Sequence, residues 1–474
     1  MKIAFLVAYF ATWLAIPHLL WLKKRPSATL AWLWAILFIP VLGALAYLAI
    51  GTDRLKRRRL RRRGPLLVKR LGIQVPPPTP ALDAVIAALP RKARQLFQLL
   101  ARINHVPVSS AKSLRLFRNA GEFYPALEQR IREARHHVHL EFYILQDDDA
   151  GMRLLGWLTE AARRGVAVRL LLDEMGSHEL DESRLEPFKA AGGRFSWFQS
   201  LDPMRNRFFL NLRNHRKLQV IDGNIAFVGG MNIGVDYEGG NPVLGHWHDA
   251  QIEAVGAVAC ELQEVFATDW YFATGETVPE EGYYLEASAA TERFPVQVVL
   301  GGPDRRNEPI AKSFVSLLGD AEERVWIATG YFVPDDILLT ALEVAAVRGV
   351  DVRLLISEKN DHPWLVKVGR SYYDQLLAAG VRIFEYSAGI NHAKVVVADS
   401  AWAMVGSANL DYRSMRLNFE LNLVVHSPEQ NAELARILEI DFAQCVEIDR
   451  TTFARRPSRQ KMLEAALRPL SPML

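Results

Sequence analysis

The chain has 474 residues, 50% of them hydrophobic and 23% charged, enough for two domains of ordinary size with substantial cores. Its two cysteines, Cys260 and Cys445, exclude a disulfide framework and suit a reducing compartment. The net charge of +4 is unevenly spread: residues 1–70 carry fourteen Lys or Arg and one Asp, a net of +13, which leaves −9 for residues 71–474 and argues against a nucleic acid as partner of the globular part.

Ile3 to Leu22 is an uncharged, mostly apolar run. After Lys23-Lys24-Arg25-Pro26-Ser27 a second run extends from Ala28 to Ile50. Each is near the roughly 20 residues a membrane helix needs. The first lacks a small-residue cleavage site and neither has a polar face, so a two-helix transmembrane hairpin over residues 1–52 is expected rather than a cleaved signal or a buried hairpin. Trp21, Trp32 and Trp34 sit near the shared turn, where interfacial aromatics belong. Ten basic residues follow between Arg54 and Arg70, against three in the turn. That bias predicts a multi-pass protein of the cell inner (cytoplasmic) membrane, with everything after the hairpin on the cytoplasmic side. The basic cluster is expected to rest on anionic lipids.

Residues 53–110 hold this cluster, the stiff linker Pro76-Pro77-Pro78-Thr79-Pro80 and an amphipathic helix predicted from Leu82 to Ile103. From about Ser113 the chain echoes itself. In the first half, Tyr124–Ala134 reads as helix, His137–Ile144 as strand, Arg153–Arg164 as helix and Gly165–Asp173 as buried strand. In the second, Phe314–Glu323 is helix, Val325–Thr329 strand, Ile337–Arg348 helix and Gly349–Ile356 strand. The text Arg-Gly-Val-x-Val-Arg-Leu-Leu occurs at both 164–171 and 348–355. Alternating helix and strand predict an α/β fold: two duplicated α/β/α sandwich domains with mixed sheets, at 111–285 and 286–450. An amphipathic tail, 451–474, closes the chain. Two loops break the echo, Ser177–Arg213 and Lys359–Ser371, and their Trp197, Phe198, Phe208, Phe209 and Trp364 are either acyl-chain contacts or ordinary loop cores.

The chemistry lies in one stretch that appears twice. Asn214-His215-Arg216-Lys217 leads into the apolar Leu218–Ile221 and then Asp222, followed by Gly229-Gly230-Met231-Asn232. Asn391-His392-Ala393-Lys394 leads into Val395–Ala398 and Asp399, followed by Gly406-Ser407-Ala408-Asn409. The offset between the copies is 177 positions for His, Lys, Asp and Asn alike. On extended chain, His and the Lys two residues later face the same way, so each copy sets a base beside a fixed cation. Phosphodiester exchange needs a nucleophile, an acid for the leaving alkoxide and positive charge for the non-bridging oxygens. Two His, two Lys and two Asn supply these without a metal or other cofactor. One imidazole attacks phosphorus and becomes a phosphohistidine; the other protonates the leaving oxygen and then deprotonates the incoming alcohol. Lys217, Lys394, Asn232 and Asn409 are expected to hold phosphate charge.

An attacking imidazole needs its second nitrogen anchored. Asp249, 34 positions after His215, and Glu420, 28 after His392, are the candidates. Asp222 and Asp399, though part of the repeated set, read better as acids that brace loops or bond backbone amides. His246, His248 and Asp249 lack further ligands at zinc spacing. His136, His137 and His139 read as strand-edge residues and His105 as a loop residue. Glu141, Asp173 and Tyr331, at strand ends, either face the cleft or serve the fold.

The pattern His-x-Lys-x4-Asp-x6-Gly-[Gly/Ser]-x-Asn, present twice, resembles the signature of the phospholipase D superfamily. The flanks are similar to bacterial cardiolipin synthases: Asn211–Lys217, Ile221–Gly234 and Gly245-His246-Trp247-His248-Asp249 in the first segment, Gly406–Ser414 and Leu417-Asn418-Phe419-Glu420 in the second, and Pro40–Gly43 with Tyr47–Gly51 in the hairpin. The resemblance implies two phospholipase D-like domains and transphosphatidylation. One phosphatidylglycerol gives its phosphatidyl group to the enzyme and a second takes it, with His215 as nucleophile and His392 as acid and base. It also marks a departure: where the family is expected to read Trp-Arg-Asp, this chain reads Trp247-His248-Asp249. A phospholipase D-type hydrolase, or a transferase using phosphatidylethanolamine, fits the same motifs. A nuclease is disfavoured by the −9 globular part, and a non-catalytic lipid scaffold by two complete motifs. The oligomeric state is left open, a homo-oligomer included.

Overall fold

The computed structural model describes residues 12–21, 26–48, 80–198, 212–241, 245–278, 293–305, 307–360 and 362–473. The chain separates into a unit of residues 1–70 with 201–210 and a unit of residues 71–200 with 211–474. The basic cluster from Arg54, the proline-rich linker up to Thr79, Phe208 and Phe209 lie outside the described residues.

In the first unit, helices run over Ala15–Trp21, Pro26–Phe38 and Pro40–Ala46. The last break falls where Pro40 restarts the helix after Ile39, a residue held out of helical geometry, because a proline ring clashes with the preceding turn. No helix among the described residues is long and apolar enough to cross a membrane, and much of the first apolar run lies outside them. Leu19, Ile36 and Tyr47 pack together, and Tyr47 Oη bonds His18 Nδ1 at 2.8 Å. Leu14, Trp21, Trp34, Phe38 and Leu42 are exposed. The Tyr47 ring is inside, while His18 and these large apolar side chains are outside.

The second unit carries two sheets of the same plan. In the first, the strand order is Ser113–Phe117, Gln251–Val255, Ile225–Gly229, Leu218–Ile221, His137–Phe142, Ala167–Leu172, Arg194–Trp197. The last three strands run parallel and the other pairings are antiparallel. The second sheet repeats this order with Phe294–Gly301, Glu420–His426, Trp402–Gly406, Val395–Ala398, Arg324–Thr329, Asp351–Ser357 and Arg382–Tyr386, and adds Ser109–Ala111 and Cys445–Glu447 at its edges. Helices cover the sheets, so central strands such as Leu218–Ile221 and Val395–Ala398 are buried throughout and read as continuous apolar runs. Side-chain caps start the covering helices: Asn119 accepts from Glu122 N, Asp148 from Gly151 N and Asp335 from Leu338 N.

Four expectations change. The helix expected over Leu82–Ile103 is two helices, Pro80–Ala88 and Arg91–Asn104, because Pro90 cannot continue the first. Leu96 and Leu100 of the second helix join the core of the second half, and Asn104 bonds Val298 O and Leu300 N there. The stretches read as loops contain helix Glu186–Ala190, strand Arg194–Trp197 and helix Pro363–Arg370. His137 and His139 are not at an edge. They lie on a central strand, 1% and 0% exposed, with the His139 ring 4.7 Å from Phe266.

Asp222 and Asp399 sit at the far ends of the strands that begin beside the two lysines. Both adopt left-handed backbone, φ 50° and 46°, which Asp tolerates better than most residues. Asp222 accepts backbone N–H groups of Arg135, His136 and His137 at 2.8–2.9 Å. Asp399 does the same for Glu322, Glu323 and Arg324. Each carboxylate therefore fastens the start of the neighbouring antiparallel strand, and neither lies beside its histidine.

Candidate active site

The two halves meet where their motif strands begin. Gly389–Asn391, just before His392, pairs in parallel with His246–His248 of the first half. Asn214, just before His215, makes a lone bridge to Phe419 of the second. The backbone contacts match: His215 N donates to Phe419 O at 3.0 Å and His392 N to His248 O at 2.7 Å. Each histidine is thus hung on a strand of the opposite half.

The side chains cross as well. His215 Nδ1 lies 3.1 Å from both Glu420 oxygens and 3.1 Å from Ser407 O. His392 Nδ1 lies 2.7 Å from Asp249 Oδ2. All of these partners are acceptors, so in each ring Nδ1 carries the proton it donates and Nε2 is left for chemistry. Both predicted acids are therefore anchors, each for the histidine of the other half.

The paired glycine or serine of each motif shapes these anchors. At Gly230 a Cβ would stand 2.1 Å from Asp249 Oδ1, so that place is open only to glycine. At the matching place Ser407 donates its hydroxyl to Glu420 Oε2, and Asn418 Nδ2 donates to Oε1 at 3.3 Å. Lys217 folds back to His215 O at 2.8 Å, and Lys394 bonds His392 O. All four motif side chains are buried, with Lys217 fully so.

Burial governs the electrostatics. It pushes His215 down to about 4, against the raising effect of Glu420, and Lys217 and Lys394 add to the lowering. His392 is also lowered, by burial and by Lys394 and Lys217, while Asp249 opposes. Burial takes Lys217 to about 7, with Lys394 as a like-charged neighbour. Each imidazole therefore lies within electrostatic reach of the ammonium groups of both motifs. Burial alone would raise Glu420 and Asp249, but the cations around them leave both carboxyls lowered.

Around this centre, Tyr143 places its ring 4.9 Å from His215 and 5.2 Å from the Lys217 ammonium. Tyr331 and Trp247 flank His392 at 6.0 and 5.4 Å. Glu141 and Asp173 act one layer back: Asn214 Nδ2 bonds Glu141, and Asn214 N donates to Asp173 Oδ2 at 2.8 Å. Arg216 ties His215 to the far sheet through Gly301 O and Glu420 O, and pairs with Asp269 on helix Ala257–Thr274. Asn409 keeps its buried Oδ1 unbonded, aimed at the space over Gly330 and His392. Asn232 departs from expectation. Its Oδ1 accepts from Ile144 N and its Nδ2 donates to Tyr237 Oη, so it holds a loop. Phe198 is core rather than a lipid contact, stacked on Phe272 and edge-on to Phe419, while Trp364 is 40% exposed. Ser407, Tyr143 and Gly330 were not singled out from sequence. For Ser407, the alignment of the two motifs, with Gly230 opposite, was the available signal.

Comparison with known proteins shows the family. A family model described as cardiolipin synthase, phospholipase D-like domain, matches residues 127–270 and 314–442. A second, described as phospholipase D-nuclease N-terminal, matches residues 10–51. A cardiolipin synthase of Geobacillus kaustophilus is 37% identical over 456 residues, 95% of this chain and 90% of its own. Cardiolipin synthase A of Pseudomonas aeruginosa is 37% identical over 465 residues, 96% of this chain and 93% of its own. Among solved structures, a phosphatidylserine synthase of Haemophilus influenzae shares the fold at a TM-score of 0.60 and 14% identity, over 81% of this chain and all of its own.

Proposed function

Because the chain belongs to the cardiolipin synthase family of phospholipase D-like proteins, we propose that it transfers a phosphatidyl group from one phosphatidylglycerol to another, giving cardiolipin and glycerol. The observation that carries this reading is the pair of buried histidines, each held by a carboxylate of the opposite half and each within electrostatic reach of both ammonium groups. His215, kept neutral by burial, offers the Nε2 lone pair to phosphorus. The P–O bond to the glycerol headgroup breaks as His392, entering this step as the imidazolium held by Asp249, gives its Nε2 proton to that oxygen and becomes neutral. Neutral His392 then takes the proton of a hydroxyl on a second phosphatidylglycerol, whose oxygen attacks phosphorus and frees His215. Lys217, Lys394 and Asn409 stabilise the charge on the phosphoryl oxygens.

Membrane placement is part of the same proposal. The first unit exposes large apolar side chains around a buried Tyr47, as suits a lipid surrounding. The reading is a multi-pass hairpin with the catalytic halves on the cytoplasmic side, where the basic run meets anionic lipid.

The test is mass spectrometry of products from phosphatidylglycerol vesicles incubated with the purified protein. Cardiolipin with glycerol is expected, and neither should form with His215→Ala. Phosphatidic acid without cardiolipin would make the protein a hydrolase. Cardiolipin only when phosphatidylethanolamine is added would change the donor.

A further inference from the structure

We infer that Arg213 and Arg413 form a second anion site beside the reacting centre, and that it takes the phosphate of the acceptor lipid, the one that is not transferred. The inference rests on the transfer proposed above and names how its acceptor is chosen.

The two arginines come from opposite halves and meet on one short stretch. Arg213 O accepts the Phe419 N–H at 2.9 Å, and Arg413 O accepts the N–H groups of Leu417 and Asn418 at 2.7 and 2.9 Å. The next residue is Glu420, the anchor of His215. Asn214 and Arg216 turn to Glu141 and Asp269 behind the site, so the alternation of extended chain sets Arg213 on the side of His215 and Lys217. Arg413 Nη2 reaches Asn418 Oδ1 at 3.4 Å, and its guanidinium lies within electrostatic reach of Arg213, Tyr143 and Glu420. Two like charges are thus held near each other, half-buried, beside the His215 anchor.

The acids around them are committed elsewhere. Glu420 holds His215 and accepts from Ser407 and Asn418. Asp411 accepts the Ser414 N–H at 2.7 Å, and Asp173 accepts those of Met175, Gly176 and Asn214. Among the described residues Arg213 has no carboxylate at ion-pair distance, and its Nη1 donates to Leu212 O at 2.7 Å. Burial lowers Arg413, Asp411 opposes, and Arg213 adds to the lowering. An anion held between the guanidiniums relieves their repulsion and gains charge-assisted hydrogen bonds.

The duplicated half has no such pair. At the 177-residue offset Arg213 corresponds to Ile390 and Arg413 to Asp236. Ile390 belongs to an apolar core, and Asp236 accepts from Gln146 and Asn241. The phosphate under transfer is met by two motif sets that are alike, whereas the arginines are one-sided and so serve a group present once. The acceptor supplies that group. Its attacking hydroxyl is three carbons from a phosphate of its own, while water and released glycerol carry no charge. Paired guanidiniums match a phosphate through forked hydrogen bonds. The site therefore favours an anionic lipid alcohol over neutral acceptors, and cardiolipin over phosphatidic acid.

The experiment gives the full-length protein vesicles of phosphatidylglycerol with an equal mole fraction of monoacylglycerol, which offers the same diol end without a phosphate. Mass spectrometry reads cardiolipin against phosphatidylated monoacylglycerol and phosphatidic acid. In wild type, cardiolipin should exceed the monoacylglycerol product by about tenfold or more. Arg213→Gln and Arg413→Gln should each cut that ratio by about tenfold, with phosphatidic acid rising, and the lysine variants should keep part of it. The ratio is internal to one reaction, so it does not depend on how much protein folds. Should neither glutamine variant fold, wild type still decides: equal use of the two acceptors overturns the site. An unchanged ratio in the glutamine variants, with both products falling together, overturns it as well, because the arginines would then serve the transferred phosphate or the fold. Wild type that makes no cardiolipin overturns the transfer itself, a result distinct from cardiolipin made without acceptor preference.

Discussion

Glu420, a residue of the second half, holds the imidazole of His215, a residue of the first, 205 positions away, with both oxygens 3.1 Å from Nδ1. Asp249 repays the exchange by holding His392 across 143 positions. Neither half contains a complete site. Each motif histidine and its anchor come together only when the halves dock, so isolated halves are expected to be inert even if folded.

The crossed anchors predict which half-reaction each acid serves. Glu420→Gln should prevent labelled phosphatidyl from accumulating on the protein, because it disables the attacking ring. Asp249→Asn should still allow labelling but slow its release by about a hundredfold or more. Trapping with labelled phosphatidylglycerol, followed by acid quench, checks both. The reverse pattern would make His392 the nucleophile.

The pH dependence of kcat/KM should be bell-shaped, because it reports the free enzyme. His215, lowered to about 4, is neutral and nucleophilic above that value, so the rate climbs through it. Lys217, lowered to about 7, is cationic below that value, so the rate declines above it. In kcat the Lys217 limb should move to higher pH, since a bound lipid phosphate favours the ammonium. A kcat/KM flat from pH 6 to 9 would remove Lys217 from the charge balance.

Replacing Lys217 should separate stability from activity. Its ammonium is fully buried with a carbonyl as its hydrogen-bond partner. Lys217→Met should raise stability by about 1–3 kcal/mol while lowering kcat by at least about a hundredfold. The sign with pH follows from the depressed value. The burial cost is full below about 7 and fades as pH rises toward the ordinary 10.5, so the gain in Tm should be largest at low pH. Thermal melts at pH 6 and pH 9.5 measure it.

Asp222→Ala and Asp399→Ala should behave as folding mutants. Each removes the acceptor for three backbone N–H groups at the start of a central strand. A loss of about 2–4 kcal/mol is expected, with kcat per folded molecule within about threefold of wild type. Denaturant unfolding with active-site titration separates the two effects. Lost kcat at unchanged stability would return both acids to catalysis.

The sheet plan was readable because Gly165–Asp173 and Gly349–Ile356 are short apolar runs behind amphipathic helices, and period and composition report burial directly. Pro90 was a local signal passed over: a ring that clashes with the preceding turn splits the helix whatever its amphipathic pattern. His137 and His139 misled because polar residues usually mark an edge, yet here Gln263 and Arg169 satisfy the His139 ring inside.

By itself, the sequence determined the chemistry: two His-Lys pairs, two anchoring acids and the strands that carry them, since side-chain identity and 177-residue spacing are local properties of the text. Only tertiary structure decided who serves whom. Docking the halves sends Glu420 to His215, Asp249 to His392 and Asp441 to His248, and it leaves Asp222 and Asp399 at the far ends of their strands. The physical reason is that a contact between segments distant in the chain is fixed by how two buried surfaces fit together, and spacing within either segment carries no record of that fit.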